Sequence, residues 1–553
     1  MPATAQPYAQ FIGVPLLPED RHAVSVSLPT WESVIQYKKD GKIQKSEMKF
    51  NRIRIYGYPR FHIHPAIEAL SQEVMERLGL EMECGLRCMV FPTESAAMRF
   101  KARVQKAPER VDIVHFALPT ESVKFPEDRW IHFYPTIFPI ELNDGAMAHW
   151  TETGDGVSSR QADICLKYFN YLQSISAIGS YLTPAQRYRI QDEEWMPSGE
   201  QDKDAVKELI ANLTTSEDGR NQVGVENVLL SPSGMNAICT VSRALSIGGN
   251  QDEVVGFGWL YGETRSILEY SNWGKVTFYS GRGTEDLDSL EASLASGWRI
   301  RALFCEFPNN LLLGLPDLSR IRALADKYRF IVVCDDSVST PVNTDLFPFV
   351  DIRVASLTKM FSGACNVTGG SVTVNPLSPY YTEIQTGLYE VFEDTLFPLD
   401  AIALRINSVD MVDRVRRANA NAMPVVQLLS NHSSVAQVNH PSLGSVAKIY
   451  DQHRHQKRGG YGQLLGIIFR NPSSAEIFYD ALDVCKGASF GTNFTLCLPH
   501  VMVGHFHELE FAETHGAMRH TLRLSVGLED RAELLKIVTK ALEAVKEYEK
   551  TGR

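Results

Sequence analysis

The stretch "VDIRVASLTKMFSG", residues 350–363, decides the fold of this chain. It begins as a short strand, and a hydroxyl pair, a lysine and a glycine follow. A second strand, "RFIVVCDDS" at residues 329–337, ends in two acids, and the helical pattern "PDLSRIRALADKY" precedes it. Strands that alternate with helices predict a mostly parallel sheet with helices on both faces. Polar groups that follow such strands gather at one edge of the sheet, so we expect Asp335 and Lys359 to lie close together.

The sequence predicts an α/β protein in three parts. Residues 1–153 are an N-terminal extension of α+β type in which no chemical motif is evident, and "DGKIQKSEMK" within it is expected to be a solvated loop. Residues 154–398 form a large α/β domain with an N-terminal arm. Residues 399–553 form a smaller α+β domain, which contains one long polar helix, "LRINSVDMVDRVRRANANAMPVVQLLS", and a final amphipathic helix.

Composition narrows the classes of function. A net charge of -11 over 553 residues argues against a general nucleic-acid binder or a binder of anionic membranes. No apolar run is long enough to cross a bilayer, and the N-terminus lacks the basic start and apolar core of a secretory signal. The nine cysteines are scattered, several within apolar runs, and Cys84 and Cys88 have no second pair at zinc spacing. We therefore expect a cytoplasmic protein without a metal, a nucleic acid or a membrane as partner.

Lys359 and Asp335 together favour one kind of chemistry. Pyridoxal phosphate (PLP) needs a lysine for its Schiff base and a carboxylate that keeps its ring nitrogen protonated. A third element, "SPSGMNA" at residues 231–237, opens a helix whose free N–H groups attract phosphate, and Gly234 permits close backbone approach. Taken singly, each motif fits an ordinary strand end or capping turn better, because such short motifs are common. Their combination favours a PLP site.

These segments, together with "LYGETRSIL", "CEFPNN", "ASFGTN" and "RLSVGLED", occur in an order that resembles the Cys/Met-metabolism family of PLP enzymes. The resemblance covers roughly residues 154–553. The extended N-terminal region and "GDGVSSR" are most similar to the fungal cystathionine γ-synthase branch of that family. The resemblance implies PLP as cofactor and a PLP-dependent transferase fold of the aspartate-aminotransferase-like type, fold type I. It also implies that residues 154–398 are the PLP-binding domain.

The resemblance further implies roles for individual residues. Lys359 is the Schiff-base lysine, and Tyr261, which stacks on the cofactor ring, is the second catalytic residue. Asp335, and not Asp336, faces the ring nitrogen. Arg523 clamps the α-carboxylate of the substrate, as its planar fork allows. The other implied ligands are Gly234, Met235, Ser356 and Thr358 at the phosphate, Asn310 at the phenolic oxygen, Arg160 at the phosphate of a neighbouring subunit, and Ser489 and Glu263 at the substrate.

The leading functional hypothesis is γ-replacement on an O-acyl-L-homoserine, with O-acetyl-L-homoserine as the expected donor and cysteine as the nucleophile. Departures from the family pattern put the nucleophile in question: Ser158 replaces the tyrosine of Y-x-R, Ala488 replaces an acid of the bacterial synthases, and Glu263 follows the Tyr-Gly pair. One alternative is a biosynthetic enzyme of specialised metabolism that uses a carbon or amine nucleophile. Another is a non-catalytic regulator. Because Arg160 is implied to cross an interface, we expect a homodimer or homotetramer with shared active sites.

Two histidine pairs have the spacing H-x-H. They are His453 with His455 and His505 with His507. On a strand each pair would share one face, which makes a metal conceivable. A polar loop and a strand edge are the favoured interpretations, because no acidic or thiol partner is evident in the sequence.

Overall fold

A computed structural model describes residues 12–17, 19–40, 61–80, 85–104, 111–119, 130–175, 197–217, 219–281 and 283–552. Most of the expected loop "DGKIQKSEMK" lies outside these residues. The N-terminal part forms a small antiparallel sheet in the order β1-β4-β3-β5, with β2 also paired to β4. Its elements are α1 (Trp31–Asp40), α2 (Pro65–Arg77), β1 (Leu86–Phe91), α3 (Glu94–Val104), β2 (Asp112–Ile113), β3 (His115–Ala117), β4 (His132–Pro139), α4 (Asn143–Thr153), α5 (Ser159–Lys167) and β5 (Gln173–Ile175).

The central part contains a seven-stranded sheet in the order β6-β12-β11-β10-β9-β7-β8. Strands β7 to β11 run parallel, and only β12 is antiparallel to its neighbours β11 and β6 within this described sheet. The expected mostly parallel sheet is confirmed. Its strands are β6 (Val228–Ser231), β7 (Glu253–Phe257), β8 (Lys275–Tyr279), β9 (Ala302–Glu306), β10 (Ile331–Asp335), β11 (Ile352–Ser356) and β12 (Gly370–Val374). Its helices are α6 (Glu200–Thr214), α7 (Gly234–Leu245), α8 (Gly262–Tyr270), α9 (Glu285–Ala295), α10 (Leu318–Tyr328), α11 (Thr340–Asn343), α12 (Tyr381–Val391) and α13 (Pro398–Ser408).

The C-terminal part is a five-stranded sheet in the order β13-β14-β17-β16-β15, with helices packed against it. Its strands are β13 (Val435–Asn439), β14 (Leu464–Phe469), β15 (Cys485–Lys486), β16 (Leu496–Pro499) and β17 (Leu522–Ser525). Its helices are α14 (Met411–Ser430), α15 (Gly444–His453), α16 (Pro472–Ala481), α17 (His500–Gly504), α18 (Leu509–Thr514) and α19 (Arg531–Thr551). No helix within the described ranges has the length and apolar content needed to cross a membrane.

The prediction of one long polar helix over residues 404–430 is wrong. The segment forms the end of α13 and all of α14, with a break at Val409 and Asp410. The break is stabilised by Arg414, which is buried at 5% exposure and donates from Nη2 to the carbonyl oxygen of Asn407 in the last turn of α13. A cation at the carboxyl end of a helix satisfies carbonyl groups that would otherwise lack donors. The buried Arg414 therefore stabilises the carboxyl end of α13.

The segment that leads into α1 packs against the C-terminal part of the chain. Leu28 and Trp31 belong to the same buried core as β14, α16 and α19. The hydroxyl of Tyr479 donates to the carbonyl oxygen of Leu28 at 2.6 Å, and the backbone N–H of Trp31 donates to Asp480 at 2.7 Å. Lys486 also donates to the Pro29 carbonyl oxygen at 3.0 Å. Helix α1 is therefore held beside the smaller C-terminal sheet.

Candidate active site

Three adjacent parallel strands bring polar groups to one edge of the central sheet. Strands β9, β10 and β11 are neighbours, and Glu306 lies directly opposite Asp335 where β9 and β10 end. Lys359 follows the end of β11 by three residues. All three side chains line a cavity of about 380 Å³. The expectation that Asp335 and Lys359 lie close together at one edge of the sheet is confirmed, since both line this cavity.

Lys359 is oriented by the loop that follows β15. Its Nζ donates to the Ser489 hydroxyl at 3.0 Å and lies 4.9 Å from the centre of the Phe490 ring. Ser489 has φ = 132°, in the region that L residues rarely adopt. Strained backbone of this kind is concentrated at functional sites, where the surrounding structure holds it. Ser489 thus combines a contact to the lysine with an unusual backbone conformation.

Arg523 presents its guanidinium group to the same cavity from β17. It is 5% exposed, and its Nη1 donates to Asn310 Oδ1 at 3.0 Å while Nη2 donates to the Ser489 carbonyl oxygen at 2.8 Å. The guanidinium carbon lies 5.2 Å from the centre of the Phe490 ring. A buried, oriented guanidinium group is suited to a carboxylate, because its planar fork matches both carboxylate oxygens.

The adjacent acids Asp335 and Asp336 have different environments. Asp336 is buried and forms an ion pair with Arg353, and each side chain is 2% exposed. Asp335 lines the cavity and accepts from the backbone N–H of Ser337 at 2.8 Å. Burial raises the pKa of Asp335 to about 6, while the charge of Lys359 opposes that rise. Of the two acids, Asp335 is the one available to a cavity ligand.

Glu306 is the third acid at this edge, and its role was not anticipated from the sequence. It accepts from the backbone N–H of Tyr261. Burial, and then the negative charge of Asp335, raise the pKa of Glu306 to about 8. Two close carboxylates cannot both ionise easily, so the pair retains a proton near neutral pH, mainly on Glu306. The sequence signal that could have identified Glu306 is its position as the last residue of β9, the strand next to β10.

The start of helix α7 provides a place for a phosphate group. Ser233 caps the helix by accepting from the N–H of Asn236 at 3.1 Å, and the N–H groups of Gly234 and Met235 make no hydrogen bond within the described chain. A Cβ on Gly234 would come within 2.8 Å of Ser356 Cβ, so glycine allows this helix start to approach β11. Free N–H groups at the positive end of a helix bind anions.

Ser356 and Thr358, the other two residues expected at a phosphate, also line the cavity. The Thr358 hydroxyl already accepts from the N–H of Gly369 at 3.1 Å, and the N–H of Ser356 donates to Ser337 Oγ at 2.7 Å. The residues present fit PLP: a lysine, a carboxylate, a phosphate cradle and the phenol of Tyr261 all border one cavity.

The structure brings together all the expected site residues except one. Tyr261 is the N-cap of α8, Glu263 lies in its first turn, and both line the cavity with Asn310. Arg160 instead donates to Asp400 at 3.0 Å and lines a smaller cavity of about 60 Å³. That smaller cavity shares Ser233 with the main one. The contact of Arg160 with a neighbouring subunit stays a prediction.

The N-terminal extension contributes to the cavity wall, which its sequence did not reveal. Tyr37 and Lys38 from α1 line the cavity, as do Phe61 and His62. The Tyr37 hydroxyl and His62 Nε2 are hydrogen-bonded at 2.5 Å. No local motif marks these residues, and Tyr37 and Lys38 reach the cavity only because α1 packs on the C-terminal part.

The strand interpretation of the histidine pairs is wrong. His453 ends helix α15 in the buried core, and His505 follows helix α17. Acidic partners also exist, since His455 Nδ1 lies 3.3 Å from Glu217 and His505 Nδ1 lies 2.6 Å from Glu508. His505 and His507 line the main cavity. Among the described residues no group of three or more possible ligands is placed to hold a metal.

Comparisons with known proteins agree with this geometry. Residues 197–543 match the model of the Cys/Met metabolism PLP-dependent enzyme family, and residues 66–158 match the N-terminal domain of fungal trans-sulfuration enzymes. The chain is 39% identical to the cystathionine gamma-synthase-like protein ankD of Aspergillus thermomutatus, over 99% of this chain and 96% of that protein. It is 34% identical to the cystathionine gamma-synthase of Neurospora crassa, over 97% and 98%. The crystal structure of cystathionine gamma synthase from Xanthomonas oryzae has the same fold, with a TM-score of 0.54 and 20% identity over 68% of this chain and 95% of that one.

Proposed function

The chain belongs to the Cys/Met metabolism family of PLP-dependent enzymes, and on this basis we propose that it catalyses γ-replacement on an O-acyl-L-homoserine. The donor is O-acetyl-L-homoserine and the nucleophile is cysteine. As a family member the chain is an enzyme with PLP as its cofactor, so the non-catalytic alternative is set aside. The observation that carries the proposal is that two oriented basic side chains share one cavity. Lys359 donates a hydrogen bond to the Ser489 hydroxyl, and Arg523 donates to Asn310 and to the Ser489 carbonyl oxygen.

Each part of the cofactor has a partner among these residues. Lys359 would bind it covalently, Asp335 would face its ring nitrogen, and the start of α7 would hold its phosphate. When bound, PLP withdraws electrons from the substrate carbons and so makes their protons acidic. A positive ring nitrogen also lowers the pKa of a facing carboxyl, which opposes the effect of burial on Asp335.

Lys359 is the group that moves protons. With its Nζ free and neutral, Lys359 would accept the Cα proton of a substrate held in the cavity and later return it. Ser489 fixes the direction of this amine at 3.0 Å. Arg523 holds the α-carboxylate of the substrate, so that Cα is presented to Lys359. Positioning of this kind turns a slow encounter into a reaction between neighbouring groups.

The overall reaction is a substitution at Cγ of the donor. The Cγ–O bond breaks and acetate leaves with the bonding electrons. The cysteine sulfur forms the new Cγ–S bond, and its proton leaves with acetate or with water. The product is cystathionine, and no oxidant or reductant is needed.

A second candidate retains the donor and changes the nucleophile to a carbon or amine group. It is supported by the cavity wall, in which the small side chain of Ala488 stands beside Ser489 and Lys38 supplies a positive charge that suits the carboxylate of a keto acid as well as that of an amino acid. In this reaction the Cγ–O bond again breaks and acetate leaves with the bonding electrons, while the α-carbon of a β-keto acid loses a proton and forms the new bond to Cγ.

A nucleophile screen separates the two candidates. The purified enzyme is incubated with O-acetyl-L-homoserine and either cysteine or a β-keto acid, and products are read by mass spectrometry. We expect cystathionine from the first mixture. Release of acetate without cystathionine, together with a product of the keto acid, would favour the second candidate.

We also propose a cytoplasmic homo-oligomer in which Arg160 acts on the neighbouring subunit. Mixing of the two inactive variants Arg160→Ala and Lys359→Ala tests this idea. Restored activity in the mixed oligomer is expected, because one shared site then has both residues. Activity that does not recover after verified subunit exchange would contradict it.

A further inference from the structure

Lys38 is a largely buried cation at the cavity wall. It lies near the end of α1, the helix that Trp31 anchors to Asp480. Burial lowers the pKa of Lys38, and the negative charge of Glu263 opposes that shift. Burial, and then the charge of Lys38, lower the pKa of His62, which also lines the cavity.

Lys38 and Glu263 face one cavity without forming an ion pair. Both side chains line the cavity, and within the described part of the chain neither makes a hydrogen bond or a contact of 4.0 Å or less to an opposite charge. Burial of a charge is costly unless a partner compensates it. A cavity wall that carries one positive and one negative charge, not paired with each other, has the polarity of a site for a ligand with both signs of charge.

Besides Lys359, the described wall of the cavity has a further cation, Arg523, and it already has a different task. Its fork is oriented by Asn310 and the Ser489 carbonyl next to Lys359, where the donor substrate must react. Burial is the main cause of the lowered pKa of His500, and the charges of Arg523 and Lys38 add to it, so both cations act on the same part of the cavity wall. Apart from Lys359, which would hold the cofactor, the described part of the cavity wall therefore offers Arg523 and Lys38 as positions for the carboxylates of two substrates.

We propose that Lys38 binds the carboxylate of the incoming nucleophile, and that Glu263 binds its ammonium group when the nucleophile is an amino acid. This inference rests on the proposed γ-replacement. It assigns to the N-terminal extension a direct part in choosing the second substrate. Lys38 serves any nucleophile with a carboxylate, whereas Glu263 favours an amino acid over a keto acid, because only the former has a cationic group for it.

Steady-state kinetics on the cofactor-loaded variant Lys38→Met test the proposal. We expect the KM for cysteine to rise roughly 10- to 100-fold, the usual effect of losing a hydrogen bond to a charged group, while the KM for O-acetyl-L-homoserine stays within about twofold. Lys38→Arg retains the charge and should recover part of the loss. Gln36→Met, an exposed position on the same helix, is the matched control and should change neither KM. An equal rise in both KM values, or none, would overturn the proposal.

A binding measurement keeps this test separate from the proposed reaction. Borohydride fixes the cofactor on Lys359, and S-methyl-L-cysteine, whose sulfur carries no proton to lose, is then titrated by calorimetry. Weaker binding to Lys38→Met and Glu263→Gln supports the proposal, and unchanged binding to both refutes it. Failure of the proposed γ-replacement would be detected in a separate assay, as the absence of acetate release from O-acetyl-L-homoserine by the unmodified enzyme. If keto acids are the true nucleophiles, Lys38→Met should impair their use and Glu263→Gln should not.

Discussion

Replacement of the adjacent acids Asp335 and Asp336 by asparagine should have opposite effects on stability. Burial raises the pKa of Asp335 from 3.8 to about 6, so the folded protein binds more protons than the unfolded chain between these values. Stability conferred by this group therefore falls as pH rises through that window and stays lower above it. The full loss corresponds to at most about 3 kcal/mol. In the cofactor-free protein at pH 8, Asp335→Asn should raise the free energy of unfolding by about 1–3 kcal/mol.

Asp336→Asn removes the partner of a buried cation. Arg353 is 2% exposed, and its Nε and Nη1 have no hydrogen-bond partner among the described residues. Breaking a buried pair from one side leaves an uncompensated charge and costs about 3–5 kcal/mol. The free energy of unfolding should fall by that amount. Because Asp336 does not line the main cavity, the kcat per bound cofactor should change little.

The two variants should also differ in kcat, and here Asp335→Asn is the impaired variant. Asp335→Asn removes the carboxylate that we place at the ring nitrogen, and loss of one such electrostatic group lowers kcat by about 10²-fold or more. The assays are urea unfolding of the cofactor-free proteins, followed by circular dichroism, and acetate release per bound cofactor. Two variants with the same sign of stability change, or full activity in Asp335→Asn, would refute the assignment of the two acids.

Three further predictions follow from the same contacts. Arg523→Lys should raise the KM for O-acetyl-L-homoserine about 10- to 100-fold in steady-state assays, because a lysine cannot replace the two-pronged contact, and an unchanged KM would contradict its role. Trp31→Ala should lower the free energy of unfolding by about 3–5 kcal/mol, because it leaves a cavity beside Tyr479. Glu32→Ala, on the exposed face of the same helix, should leave the free energy of unfolding unchanged. Equal effects of the two substitutions in urea titrations would contradict the packing of α1. Glu306 has its pKa raised from 4.5 to about 8, so stability of the cofactor-free protein should fall as pH rises through that range, and Glu306→Gln should flatten this dependence in unfolding measurements at pH 6 and pH 9.

The sequence allowed much of the central fold to be predicted, because its strands and helices have strong local patterns. The strand ends at Asp335 and Lys359, and the helix start at Gly234, follow from apolar runs that stop at polar or small residues. The break at Val409 could not be foreseen, because Arg414 stabilises it from within an otherwise regular helical pattern. Local periodicity does not report contacts of this kind.

The candidate site was predictable where ordered motifs mark it and not where packing alone creates it. Lys359, Asp335 and Arg523 each stand in a recognisable segment. Lys38 lies on a helix more than three hundred residues before Lys359 in the sequence. It reaches the cavity because Leu28 and Trp31 are buried in the C-terminal core. Such a residue has no signature of its own, since any amphipathic helix could carry it.

The most direct test of the central claim is the identity of the lysine that holds the cofactor. Among the described residues, two lysines, Lys359 and Lys38, line the cavity. The cofactor-loaded enzyme is reduced with borohydride and digested, and the modified peptide is identified by mass spectrometry. We predict a pyridoxyl group on the peptide that contains Lys359. A label on Lys38 or on any other lysine, or none in a protein that carries the cofactor, would contradict the account.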